Sequence, residues 1–277
     1  MKPRAGTRPL PGGPGAADGR VEATAADGIG RLVFVNPAKR NALSTRMMLD
    51  AATVLDRFRE DDRIRAVILS GAGDTFASGA DLGEAAATGP DGQHTRPVTP
   101  EGAGRLFSSL DAFDRPLLAM IRGHCLGAGV AVALRADIRI ATEDSVFGIP
   151  AARVGIGYPV PEVESLVAAV GPGAASDLLF TARRIDGVEA HRIGLVTRLT
   201  RDGDLDDEVA KAARTIAANA PLSVRAAKAT IAAVVGGNRA PALEHAQRLI
   251  DLCSDSADAR EGALAFVQRR APEFRGR

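Results

Sequence analysis

Apolar positions recur along this chain in two alternating rhythms, short branched runs and longer stretches at helical spacing. Residues 30–36, Gly-Arg-Leu-Val-Phe-Val-Asn, predict a strand, and Pro37-Ala-Lys-Arg-Asn its loop. Ser44 suits a helix N-cap, and Met47, Met48, Ala51, Val54, Leu55 and Phe58 repeat every three or four positions through Arg59. Residues 66–70, Ala-Val-Ile-Leu-Ser, predict a second buried strand, so that strand, helix, strand reads as a right-handed crossover. A helix over 102–113 leads to a strand over 116–121, and residues 122–137 are a glycine-punctuated turn running into an apolar helix. Residues 137–141 and 145–148 predict further strands; Pro161 starts a helix over 161–170 that Gly171 closes. Helices over 173–180 and 187–193 and a strand over 195–199 complete this part. From residue 205 only helical patterns remain, over 205–218, 222–235, 241–253 and 258–270.

The order predicts an α/β fold in three parts: a flexible arm over 1–20, a core over 21–204 and an all-helical region over 205–277. Helical faces that one core does not cover predict oligomerisation. The composition fits one large domain with such an appendage, being 45% hydrophobic and 25% charged over 277 residues. A net charge of +1, from 35 basic and 34 acidic residues, gives no overall field for nucleic acid or an anionic membrane. Cys125 and Cys253 make no disulfide framework and no metal-ligand cluster, which predicts a reducing, cytoplasmic setting and no metal. The first 20 residues are rich in Pro, Gly and Arg without the apolar stretch of a signal peptide. No run reads as the roughly 20 apolar residues of a membrane span. The polar residues 87–100 predict a mobile connection.

Residues 122–137 carry the candidate chemistry. Gly127 and Gly129 let the backbone come close to a bound group, and the first turn of a helix offers unpaired, partly positive N–H groups to an anion or a developing oxyanion. The same glycines equally suit close strand–helix packing alone.

Seven pieces fall in order: Asn36-Pro-Ala-Lys-Arg-Asn-Ala-Leu, Phe76-Ala-Ser-Gly-Ala-Asp-Leu, Arg122-Gly-His-Cys-Leu-Gly-Ala-Gly, Asp137-Ile-Arg-Ile-Ala, Phe147-Gly-Ile-Pro, Gly194-Leu-Val, and Glu261-Gly-Ala-Leu-Ala-Phe-Val-Gln-Arg-Arg. From about Val21 to the end the chain resembles the enoyl-CoA hydratase/isomerase, or crotonase, superfamily. The resemblance implies a spiral of ββα units, a C-terminal helical trimerisation region, a homotrimer or dimer of trimers, and an acyl-CoA thioester as substrate, coenzyme A arriving as part of it with no separate cofactor. It implies an oxyanion hole of two backbone N–H groups, here those of Ala80 and Ala128, that holds a thioester enolate. It also sets CoA against Lys39, Arg40 and Ala42, along Ser78, Gly79, Asp81 and Leu82, and beside Gly127, with Phe266, Arg269 and Arg270 reaching it in the same or a neighbouring subunit.

The resemblance also shows a departure. The two glutamates with which a hydratase of the family activates water fall on Ala131 and Ala151. Alanine neither takes nor gives a proton, so another group must do so. Tyr158, Glu162, Glu164, Arg153, His124, Cys125, Asp81 and Glu84 are the candidates by position. Each has a plainer reading: Tyr158 as a packing residue, Glu162 and Glu164 as first-turn carboxylates favoured by the helix dipole, Arg153 as half of an ion pair, Asp81 as a cap. Three activities stay open: a hydratase-like enzyme, a crotonase running isomerisation, decarboxylation or C–C cleavage, and a catalytically silent acyl-CoA-binding or assembly module.

Overall fold

A hairpin begins the structure: β1 (Arg20–Ala26) and β2 (Ile29–Val35) pair antiparallel about Asp27-Gly28. Both turn residues have positive φ, 51° and 78°, which an Asp-Gly pair tolerates. The computed structural model describes residues 19–83, 100–237 and 239–277. The expected arm up to residue 18, residues 84–99 with Glu84, and most of the expected mobile stretch lie outside them.

Helix α1 (Thr45–Glu60) starts where Ser44 accepts the Met47 N–H at 3.2 Å, and it connects β2 to the parallel strand β3 (Ala66–Gly71). Helix α2 (Pro100–Asp111) precedes β4 (Leu117–Ile121). Then come β5 (His124–Leu126), α3 (Ala128–Leu134), β6 (Ile138–Thr142), β7 (Val146–Gly148) and α4 (Val160–Thr181). The chain goes on through β8 (Arg184–Asp186), α5 (Gly187–Arg192) and β9 (Arg198–Thr200). A six-stranded sheet runs β1-β2-β3-β4-β6-β9, parallel beyond the hairpin, and a second, three-stranded sheet runs β5-β7-β8. The ββα order of the spiral is seen in β4-β5-α3 and again in β6-β7-α4.

The strands β3 and β4 are apolar but for Ser70 and Gly71 at the end of β3, because both faces of the large sheet are covered. Val67 and Leu69 of β3, with Leu117, Ala119 and Ile121 of β4, face a core that includes Met47, Leu55, Phe58, Val130 and Phe147. Ala66, Ile68 and Leu118 face Leu205, Val209, Ala212 and Ala213 of α6 (Leu205–Ala218). The helical character that begins at residue 205 therefore starts on the sheet itself. Helices α7 (Pro221–Val235), α8 (Ala240–Ser254) and α9 (Ala257–Gln268) follow, α7 packed on α8, and they expose Ile231, Val234, Val235, Leu252, Leu264, Phe266 and Val267.

Four sequence expectations change. The turn over 122–137 contains the short strand β5, drawn into the second sheet by β7. The last strand shortens to Arg198–Thr200, and β1 and β8 were not anticipated. Val160–Thr181 is long and apolar enough to cross a membrane by length and composition, contrary to the expectation that no run is. It is one helical span only in outline: Gly171, at φ 74° and ψ 164°, breaks it before Pro172, where two helices were expected to meet, and Leu166, Ala175 and Leu178 pack into the core.

Candidate active site

Two glycine loops meet beside the C-terminal ends of β3 and β4. The loop after β3 is tied to the strand after β4 through Ala77 N–H to the His124 carbonyl and Leu126 N–H to the Ala77 carbonyl, both at 2.9 Å. On its other side it is laced to the loop after β2. Ser78 N–H reaches the Arg40 carbonyl at 3.0 Å, Ser78 Oγ the Lys39 carbonyl at 2.9 Å, and Leu43 N–H the Gly79 carbonyl at 2.8 Å. A pair of buried asparagines holds that loop. Asn41 Oδ1 accepts the Asn36 N–H at 2.8 Å, and its amide donates to the Ala72 and Thr75 carbonyls at 2.9 and 2.6 Å. Asn41 sits at φ 54°, a conformation its short polar side chain tolerates. Sequence reasoning quoted this motif and missed its structural work.

Gly79 has φ 116°, and a Cβ built on it would lie 3.3 Å from the Leu126 carbonyl oxygen and 4.0 Å from Ala128 N. Gly127, the N-cap of α3, has φ 50° and ψ −112°, a region essentially reserved for glycine. These two glycines bring Ala80 and Ala128 onto adjoining loops. Asp81 N–H and Leu43 N–H make the bonds around Ala80, whereas the N–H groups of Ala80 and Ala128 have no hydrogen-bond acceptor among the described residues. Two such donors side by side can polarise one oxygen atom. Gly129 follows the packing alternative: a Cβ there would strike the Ala77 carbonyl oxygen at 2.7 Å, so its bareness serves close backbone contact.

The candidate proton carriers separate. Tyr158, mostly buried, donates its hydroxyl to the Gly127 carbonyl at 3.1 Å, and that carbonyl also accepts the Ala131 N–H. Burial, with the Glu162 carboxylate as a lesser influence, pushes the phenol well above its ordinary range, so it stays protonated and acts as a donor. Glu162 is buried, 4% exposed, while Glu164 and Arg153 are exposed. The Arg135 guanidinium, unremarked in the sequence, clasps Glu162 Oε1 at 3.1 Å, donates to the Ala131 carbonyl at 3.0 Å, and lies 4.0 Å over the Phe107 ring. Its one legible sign is being the sole charge that ends the apolar run of α3. Glu162 Oε2 is buried and has no hydrogen-bond partner among the described residues. Ala131 and Ala151 are buried, 1% and 8% exposed.

Of the remaining candidates, Lys39 donates to Asp81 Oδ2 at 2.6 Å, and Asp81 Oδ1 accepts the Gly83 N–H at 3.0 Å, so Asp81 does serve as a cap. Ala42 is buried, and Arg40 and Leu82 are exposed at the rim. His124 is held below the ordinary histidine value, first by burial and then by Arg40 and Arg184, and is neutral near pH 7; burial pushes the Cys125 thiol far up and leaves it inert. Phe266, 86% exposed, and Arg270 stand apart from the glycine loops within one chain: Arg270 pairs with Glu261 at 2.5 Å.

The chain matches the enoyl-CoA hydratase/isomerase family over residues 24–277. It is 32% identical over 252 residues to the 2,3-dehydroadipyl-CoA hydratase of Escherichia coli, covering 89% of this chain and 94% of that protein. It is 32% identical over 256 residues to the carnitinyl-CoA dehydratase of Proteus mirabilis, covering 88% and 94%. The crystal structure of enoyl-CoA hydratase from Bacillus anthracis superposes with a TM-score of 0.84 at 26% identity, over 94% of this chain and all of that one, 100%. With the ββα spiral and the paired glycine loops in place, the chain belongs to the enoyl-CoA hydratase/isomerase family.

Proposed function

We propose that this protein acts on an acyl-CoA thioester through an enolate whose oxygen is held by the Ala80 and Ala128 N–H groups. The observation that carries the reading is the approach of the two loops, with Gly79 4.0 Å from Ala128 N as measured from its built Cβ and both donors unpaired among the described residues. As a proton leaves the α-carbon, negative charge gathers on the thioester oxygen, and one preorganised donor is worth about 2.7–4 kcal/mol of barrier. Glu162 is the proton acceptor in this reading: one oxygen is fixed by Arg135 and the other is unpaired. The proton moves from the α-carbon to Oε2 and returns to the α-carbon in exchange or to the γ-carbon in isomerisation, which balances without an added reactant. Tyr158 holds the Gly127 carbonyl and so orients the peptide that presents Ala128 N–H. Lys39, Arg40, Ala42, Ser78 and Leu82 form the rim for the CoA moiety.

The enzyme is a homotrimer or dimer of trimers in this proposal, supported by the exposed apolar residues of α7 to α9, and Phe266 and Arg270 reach CoA across a subunit boundary. A cytoplasmic setting agrees with the bacterial relatives.

The buried alanines at 131 and 151 favour a second reading, an acyl-CoA-binding module without turnover. The deciding experiment incubates purified protein with butyryl-, crotonyl- and 3-enoyl-CoA in deuterium oxide. Deuterium at the α-carbon without water addition supports enolate chemistry run by Glu162. Hydration would show that a water-activating pair exists outside Ala131 and Ala151. Tight CoA-ester binding with neither exchange nor product would establish the silent module and end the enzymatic reading.

A further inference from the structure

A cavity of about 210 Å³ lies between the sheet and the C-terminal segment, at the opposite ends of β3 and β4 from the glycine loops. Arg65 precedes β3, Arg115-Pro116 precedes β4, and Arg225 of α7 and Arg275 of the C-terminal segment complete a lining with four guanidiniums. The space equals about seven water molecules at ~30 Å³ each.

The charges in this cavity are not balanced. Arg115, nearly buried, gives Nη1 to the Phe58 and Arg59 carbonyls at 3.0 and 2.8 Å. Its nearest lining carboxylate, Asp62 at 3.4 Å, is fully exposed and screened by water. Arg225 pairs with Asp114, and its Nε and Asp114 Oδ1 are both buried without a hydrogen-bond partner among the described residues. Arg65 makes no ion pair among the described residues, and Arg275 reaches only the exposed Glu273, at 4.0 Å. Four positive groups thus meet three carboxylates, Asp62, Asp114 and Glu273, of which Asp62 and Glu273 are exposed. The first turn of α7 enters the same cavity at Pro221 and Leu222, adding the positive end of a helix 15 residues long.

The C-terminal segment is built into the wall. Asp258, 3% exposed, accepts the N–H groups of Arg275 and Gly276, both at 2.7 Å, and the Arg277 carbonyl accepts the Ala257 N–H at 2.7 Å. Gly276, at φ 77°, fits where a Cβ would come within 3.0 Å of Pro221 and 3.3 Å of Arg65 Nη1. The segment therefore closes over Arg65 and places Arg275 beside it.

We propose that this cavity binds a phosphoryl oxyanion, as free phosphate or as the phosphate of a small metabolite, which bridges Arg65 and Arg115 of the core to Arg225 and Arg275. Planar guanidiniums match phosphate oxygens in pairs, and each bond is charge-assisted. Binding fastens the C-terminal segment to the sheet, so the ligand stabilises the fold at a distance from the glycine loops.

The test is calorimetric titration of the full chain with inorganic phosphate at ionic strength held constant with chloride, paired with thermal unfolding over the same range. Saturable heat and a midpoint that climbs with phosphate are expected. Arg65→Gln and Arg275→Gln should each weaken phosphate about ten-fold or more; the Arg275 side chain is 65% exposed, so that variant retains its fold. Lys39→Gln, at the glycine-loop end, should leave phosphate binding unchanged and so excludes the CoA rim as its source. A phosphorylated sugar that binds tighter than phosphate points to a metabolite, and equal binding to the free ion. No saturable heat, or heat that survives both arginine changes, overturns the proposal.

Discussion

The Tyr158 hydroxyl donates to the Gly127 carbonyl oxygen at 3.1 Å, the oxygen of the same peptide group that carries the N–H of Ala128. A side chain beyond β7 thereby sets the plane of the peptide that carries the second of the proposed donors. Tyr158→Phe removes that tether while leaving the ring in place. It should cost about 0.5–1.5 kcal/mol of stability, since the carbonyl keeps its bond from Ala131. Turnover should fall more than substrate affinity, because the misaligned donor acts on the enolate. Denaturant unfolding and the separate readings of kcat and KM check this, and an unchanged kcat would sever Tyr158 from the site.

Glu162→Gln keeps the volume and a bond to Arg135 but removes the proposed base. Exchange at the α-carbon should drop about 100-fold or more, with the fold retained. Arg135→Met acts otherwise. Both partners are 5% exposed at the side chain, so the change strands a buried carboxylate and should destabilise by about 3–5 kcal/mol. Pairing it with Glu162→Gln should recover much of that loss, as a double-mutant cycle in urea would measure.

The two glycines of the turn should answer differently to alanine. Gly129→Ala forces a methyl onto the Ala77 carbonyl at 2.7 Å and should lower stability by about 1–3 kcal/mol through crowding. Gly127→Ala meets nothing closer than 3.9 Å but must hold φ 50°, ψ −112°. Its cost of about 1–3 kcal/mol is backbone strain, and relaxation of that strain should displace the Ala128 donor. Activity per folded molecule should therefore suffer in Gly127→Ala and survive in Gly129→Ala.

Acid should loosen the C-terminal segment. Hydrogen bonds from Arg270, and then from the Glu273 N–H, hold Glu261 at about 2, below its ordinary 4.5. A carboxylate depressed on folding adds stability above its unfolded value and loses it as pH falls through the folded one, here between about 4.5 and 2. Limited proteolysis of residues beyond 270 should accelerate across that window, and Glu261→Gln should flatten the dependence.

The strands and helices of this chain were legible where burial is two-sided or the apolar spacing regular, as in β3, α1 and α6. What escaped was set by partners distant in sequence. Strand β5 exists because β7 offers it a neighbour, and nothing local in His-Cys-Leu announces that. The β1–β2 hairpin could have been found from Asp27-Gly28 between alternating residues, a turn signal passed over in favour of the stronger apolar run after it. At the site, the glycine loops were visible as motifs. The clasp of Arg135 on Glu162 was not, because it joins residues 27 apart through the packing of α3 on α4. The part played by Gly129 stayed open in the sequence because close approach to a ligand and to a neighbouring backbone demand the same residue.

The donors proposed at Ala80 and Ala128 belong to the main chain, and every residue except proline carries them. This half of the chemistry is written in φ and ψ, so replacement of either alanine by another small residue is chemically silent, and proline alone erases a donor. Comparison of side chains across relatives will thus underrate these two positions, while the glycines that bend the chain around them bear the selective weight.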